Sequence, residues 1–209
     1  LMSENAYSDT DCTASVVVNI EKEFFAYSEL WHSSKILFEL AESQIAGFGY
    51  LYVSCATTIA FSYEAYLNHV GSDIFPELEW KHLERCRTLE KHQLVCEKLG
   101  IPYENMLGRR PMQTVKELLD LRNKIVHGKT EQVSILKTVD SEKYEKEFQR
   151  PLDPKWFEKL IKGDFVRKSR EDVMEVLELI HAARPEPKEK LLHRGTQFGS
   201  ATPLSDVKG

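Results

Sequence analysis

This chain has no surplus of positive charge. Its 209 residues carry 28 Lys and Arg against 33 Asp and Glu, a net charge of -5. That balance gives no general attraction to nucleic acid, so any RNA or DNA contact has to be built locally. The four cysteines, Cys12, Cys55, Cys86 and Cys96, include no CxxC pair. With no leader of signal-peptide type at the start, they point to a reducing, cytoplasmic setting. A Gly-rich phosphate loop, a GxSxG elbow and an HExxH helix are also missing, which removes the support for nucleotide triphosphatase, serine hydrolase and zinc protease readings. There is no internal repeat and no sustained heptad.

What remains is the composition of a soluble globular protein, 42% apolar and 29% charged, with room for one domain of ordinary size. One stretch runs against it: Ser43 to Tyr63 holds 21 residues without a charge, about the length of a membrane span. Gln44 and the glycines, threonines, serines and tyrosines dilute its hydrophobicity, and no basic cluster flanks it. A buried central helix and no membrane contact are the expectation.

Hydrophobic spacing predicts an all-α chain, a helical bundle with a minor β element. Residues 1–22 read as an N-terminal extension, 23–183 as the helical domain, and the Pro-, Lys- and Gly-rich 184–209 as a disordered tail. SVVVNIEKEFF fits either a short strand or the lead-in to a helix. A first helix is expected from an N-cap at Ser33 or Ser34, and a second from about Tyr50 to His69, ended by Gly71 and Pro76. A third spans Glu79 to Leu99 and stops at Gly100; a fourth spans Met112 to His127 with Gly128 as its cap. EQVSILKTVD alternates like an exposed strand, and a last helix covers Arg167 to Ala183.

The stretch that carries chemistry is LLDLRNKIVHGKTE, Leu118 to Glu131. On a helix Asn123 and His127 lie about 40° apart, while Arg122 is about 140° from His127 and long enough to wrap back toward it. An imidazole can move the proton of a 2′-hydroxyl or of a leaving oxygen, and a guanidinium fork can stabilise charge on a phosphate. Such a set suits RNA cleavage without a metal or other cofactor. The same residues also fit a helix end in which Arg122 forms a salt bridge and His127 caps carbonyls.

A helix that carries RNKIVH followed by Gly128 resembles the HEPN superfamily, whose R-x4-6-H signature often has a polar residue after the arginine. The resemblance implies a helical bundle that forms a homodimer, with two motif helices meeting in one cleft. It also implies endoribonuclease activity leaving a 2′,3′-cyclic phosphate and a 5′-hydroxyl. By the same resemblance, Arg122 would hold the scissile phosphate, His127 would be the acid or base, and Asn123 would orient the site. Members of the superfamily serve in toxin and antitoxin pairs, antiviral defence and RNA processing, so an antitoxin or another protein partner is a further expectation; some members only bind or scaffold.

Glu64 and Asn68, four apart on the central helix, are candidates to add polar groups to the cleft. Arg109, Arg110, Lys124 and Lys129 are candidate RNA contacts, with a solvated loop as the competing reading. His82 with Cys86 and His92 with Cys96 have metal-ligand spacing, but the two pairs lie about 15 Å apart along a helix, too far to share an ion, and no metal is expected. The aromatics Phe48, Tyr50, Tyr52, Phe61, Tyr63 and Tyr66 are expected in core or dimer packing rather than in base stacking. A metal-independent ribonuclease comes first, a non-catalytic RNA- or protein-binding module second, and a purely structural helical domain whose Arg122 and His127 knit the dimer third.

Overall fold

A 27-residue helix, Phe48–Ile74, is the hub of the structure, a computed structural model that describes residues 16–143, 145–146 and 152–203. Residues 25–193 form one compact unit; of the described residues, 16–24 and 194–203 form another. The first unit is helical: α1 (Ala26–Ser43), α2 (Phe48–Ile74), α3 (Glu77–Leu83), α4 (Thr88–Leu99), α5 (Met112–Val126), α6 (Lys155–Ile161) and α7 (Asp164–Ala183). The second is an antiparallel ribbon of β1 (Val16–Lys22) and β2 (Gln197–Pro203), registered from Val16 opposite Pro203 to Lys22 opposite Gln197. The fold is thus all-α with a minor β element.

The charge-free stretch supplies the N-terminal half of α2, and α1, α4, α5, α6 and α7 all pack on that helix. Cys55, Ile59, Ala60, Tyr63, Tyr66, Leu67 and Val70 have no exposed surface there. Val115 and Leu118 of α5, Val95 of α4 and the Val173, Val176, Leu177 and Ile180 stripe of α7 complete the core. No described helix is long and apolar enough to cross a membrane. Of the six aromatics expected in core or dimer packing, Tyr52, Tyr63 and Tyr66 are buried, Phe48 and Phe61 are partly exposed, and Tyr50 is 73% exposed.

Several boundaries differ from the sequence reading. Helix α1 starts at Ala26, well before the serines taken as caps. Ser33 and Ser34 lie inside it and hydrogen-bond back to the carbonyls of Glu29 and Trp31 at 2.8 and 2.7 Å, a helical use of the same hydroxyl chemistry. Helix α2 runs through Gly71 to Ile74. The glycine is there for packing: a Cβ on Gly71 would lie 2.1 Å from the Trp80 ring.

The single helix expected over Glu79 to Leu99 is two, because the chain turns at Arg87 (φ -61°, ψ 149°) and restarts at Thr88. The restart is capped by the backbone N–H of Arg87, which donates to Glu90 Oε2 at 3.0 Å. The expected end at Gly100 holds, in the left-handed conformation (φ 71°). Residues 131–140 are exposed and form no strand, because no partner strand lies alongside them among the described residues. The expected disordered tail is likewise corrected in part: within 184–203, Gln197–Pro203 is a strand, and SVVVNIEKEFF supplies its partner, Val16–Lys22. Cys12, residues 1–15 and 204–209 lie outside the described residues.

Candidate nucleic-acid cleft

The motif helix α5 buries Val115, Leu118, Leu119 and Leu121 against the core, which turns its other face outward. It ends one residue earlier than expected. His127 is the C-cap (φ -102°, ψ 25°), its N–H bonded to the Asn123 carbonyl at 2.9 Å. Gly128 is not among the left-handed glycines, so the cap is the histidine itself.

Arg122, Asn123 and His127 share the wall of one cleft of about 680 Å³ with Glu64 of α2 and Thr88 of α4. The turn at Arg87 places Thr88 there; a continuous helix through Arg87 would carry it elsewhere. Arg122 is half-buried, its side chain 16% exposed. Its Nη2 donates to Glu64 Oε2 at 2.7 Å and to Thr88 Oγ1 at 3.1 Å, and Cζ lies 5.7 Å from the centre of the Phe61 ring. Nε is buried and has no hydrogen-bond partner among the described residues.

Asn123 and His127 are exposed on the same wall, and the imidazole makes no side-chain hydrogen bond among the described residues. The arrangement therefore offers a held guanidinium and an exposed imidazole on one cleft wall.

Behind the wall stands a residue that the sequence reading missed. Lys91 of α4 is 1% exposed, and its Nζ donates to Glu64 Oε1 at 3.0 Å and to Asn68 Oδ1 at 2.8 Å. Burial pushes the Glu64 carboxyl up, but the hydrogen bond and charge of Lys91, with Arg122 beside it, outweigh that and hold it below the ordinary carboxylate range. Glu64 thus meets the motif directly, whereas Asn68, which is not on the cleft lining, is joined to it only through Lys91 and Glu64. A signal existed in the helical stripe Thr88, Lys91, His92, Val95 and Cys96, which is the buried face of α4; a lysine within it has to find a carboxylate.

The other expected contacts lie elsewhere. Arg110 grips Asp172 with three hydrogen bonds, the shortest 2.6 Å, and lines a separate depression with Arg109 and Glu175. Lys124 sits 3.1 Å from Glu131 and over the Trp156 ring. Lys129 is exposed beyond the helix end. None of these four is on the cleft lining, where the cations are Arg87, Lys116 and Arg122.

The His and Cys pairs differ: the helix carrying exposed His82 ends at Leu83, so Cys86 lies in the turn beyond it and the two do not share a helix face. His92 is buried between the Tyr63 hydroxyl, which meets Nδ1, and Cys96 Sγ, 3.3 Å from Nε2. Burial lowers its pKa to about 4 and raises that of Cys96 to about 12. No group of three or more His, Cys, Asp or Glu among the described residues is placed to hold a metal ion. No protein-family model matches the chain, and no curated protein or solved structure does so, which leaves the HEPN likeness of RNKIVH as a resemblance in one motif.

Proposed function

We propose that the protein is a metal-independent endoribonuclease of HEPN type. The observation that carries this reading is the shared cleft: Arg122, Asn123 and His127, whose imidazole makes no side-chain hydrogen bond among the described residues, lie on one open wall. In the proposed reaction the 2′-hydroxyl loses its proton, its oxygen attacks the adjacent phosphorus, and the bond to the 5′-oxygen breaks. The products are a 2′,3′-cyclic phosphate and a 5′-hydroxyl, with no water consumed. His127 performs one of the two proton transfers, and Arg122 stabilises the charge that grows on the phosphoryl oxygens. A second copy of the motif helix, across a twofold axis, supplies the other transfer; the reading therefore includes a homodimer.

One observation favours the second reading, a module that binds RNA or a protein without cutting. Arg122 Nη2 is already engaged by Glu64 and Thr88, so the fork meets a substrate with its Nη2 hydrogens committed. The two readings separate on a mixed cellular RNA pool incubated with EDTA, beside Arg122→Ala and His127→Ala. Cutting by the wild type alone, with cyclic phosphate ends, is the expected result. Retention of RNA without any cutting, by wild type and His127→Ala alike, would overturn the nuclease in favour of the binding module.

A further inference from the structure

The lining of the cleft carries three cations, Arg87, Lys116 and Arg122, and three carboxylates, Glu64, Glu90 and Asp120. Taken alone the wall is neutral, and a neutral wall is a poor seat for a polyanion. Lys116 is tied to Asp120 at 2.7 Å, so that part cancels locally. The charge behind the wall decides the sign. Lys91 shares Glu64 with Arg122, one carboxylate oxygen to each cation.

A buried ammonium normally stands beside a carboxylate that neutralises it. Here the second acceptor of Lys91 is the amide oxygen of Asn68. An aspartate in that place would hold the ammonium as well and would erase the excess charge. The amide satisfies the geometry and leaves two cations on one carboxylate.

We propose that Lys91 is a positioning residue of the cleft, which, by dividing Glu64 with Arg122, gives the site a net positive charge and points Glu64 Oε2 at Nη2, leaving Nη1 of the guanidinium for a phosphate. The proposal rests on the reading of the cleft as an RNA site. It assigns to a residue with almost no exposed surface the charge that makes an acidic protein locally attractive to RNA.

The charge count gives a test that simple structural support would fail. Lys91→Met leaves Glu64 and Arg122 to cancel, so the cluster becomes neutral. Lys91→Met with Glu64→Gln removes one charge of each sign, and the excess of one returns. The probe is a short 2′-O-methyl RNA, which has no free 2′-hydroxyl and so can be bound without being cut. Affinity is measured over a salt series by fluorescence anisotropy on the intact protein, with thermal melts alongside.

The expected result is binding about tenfold weaker for Lys91→Met at low salt, with a shallower salt dependence, and recovery to near the wild-type value in the double variant. A double variant that binds no better than the single one would overturn the proposal, as would a single variant that binds like the wild type. If Lys91→Met does not fold, the double variant strands no carboxylate and decides alone: near wild-type affinity supports the charge count and a tenfold loss overturns it. A wild-type protein that fails to bind the probe would remove the RNA reading and this inference together, whereas binding without any cleavage of natural RNA would remove only the nuclease.

Discussion

Helix α2 carries two buried ion networks on different faces, built to opposite stoichiometries. At Glu64 two cations, Lys91 and Arg122, divide one carboxylate, and the group opens onto the cleft. At Asp73 the ratio is reversed: Arg184, its side chain 1% exposed, lies between Asp73 at 3.0 Å and Glu189, and Glu189 also accepts from His69 at 2.9 Å. The second network ties the segment after α7 back onto α2, reinforced by Ser28 Oγ donating to the Leu192 carbonyl at 2.7 Å. A surplus of positive charge beside open space is suited to an incoming anion, while a closed set with surplus acid is suited to holding chain together.

The comparison is sharpest in Arg184→Met. Glu189, 8% exposed, loses its guanidinium inside the protein, at a cost of about 3 kcal/mol, while Asp73, 40% exposed, is left to water. A drop in melting temperature on the order of 10 °C is expected, read by calorimetry. A drop no larger than that of Arg122→Met would break the contrast between the two networks.

The next largest effect is acid sensitivity. Burial pushes the Glu189 carboxyl up, but Arg184 and His69 prevail and hold it down at about 2 from an ordinary 4.5. The unfolded chain binds this proton first as the pH falls. The stabilisation is therefore complete above about pH 4.5 and disappears between there and about pH 2, a span equivalent to roughly 3 kcal/mol. Urea midpoints at pH 6 and pH 3 should differ less in Glu189→Gln than in the wild type. An unchanged difference would assign the acid sensitivity to other carboxylates, Glu64 among them.

Helix content, the burial of the charge-free stretch from Tyr52 onward and the shared helix face of Glu64 and Asn68 were legible, because each rests on spacing within one element. Lys91 was missed although its place in the α4 stripe with His92, Val95 and Cys96 marks it as inward-facing; which carboxylate meets it depends on the approach of α4 to α2, which spacing within one helix does not give. The break at Arg87 escaped because its cap is a backbone N–H on Glu90, without glycine or proline to mark it. The strand expected near Val133 to Val139 failed for the converse reason: alternation describes one strand, and a strand needs a partner. That partner problem was solved elsewhere, by Gln197–Pro203 meeting Val16–Lys22.

Arg122→Met should destabilise less than Arg184→Met, by about 1–2 kcal/mol. Glu64 would still have Lys91, so no carboxylate is stranded. Its melting temperature, compared with that of Arg184→Met under the same conditions, checks the asymmetry; equal losses would mean that the shared carboxylate gives no insurance.

The smallest stability effect belongs to His127→Ala. The imidazole is exposed, makes no side-chain hydrogen bond among the described residues and caps the helix through its backbone N–H, which alanine keeps. The change should stay within about 0.5 kcal/mol, while the proposed RNA cleavage should be lost. A residue kept for structure would behave the other way round, because its removal leaves a partner unsatisfied or a cavity open. A measurable fall in melting temperature with cleavage intact would make His127 a helix-end residue and place it with Arg184 among the supports of the fold. The opposite pair of results would place it with Arg122, on the side of α2 where charge is left in surplus.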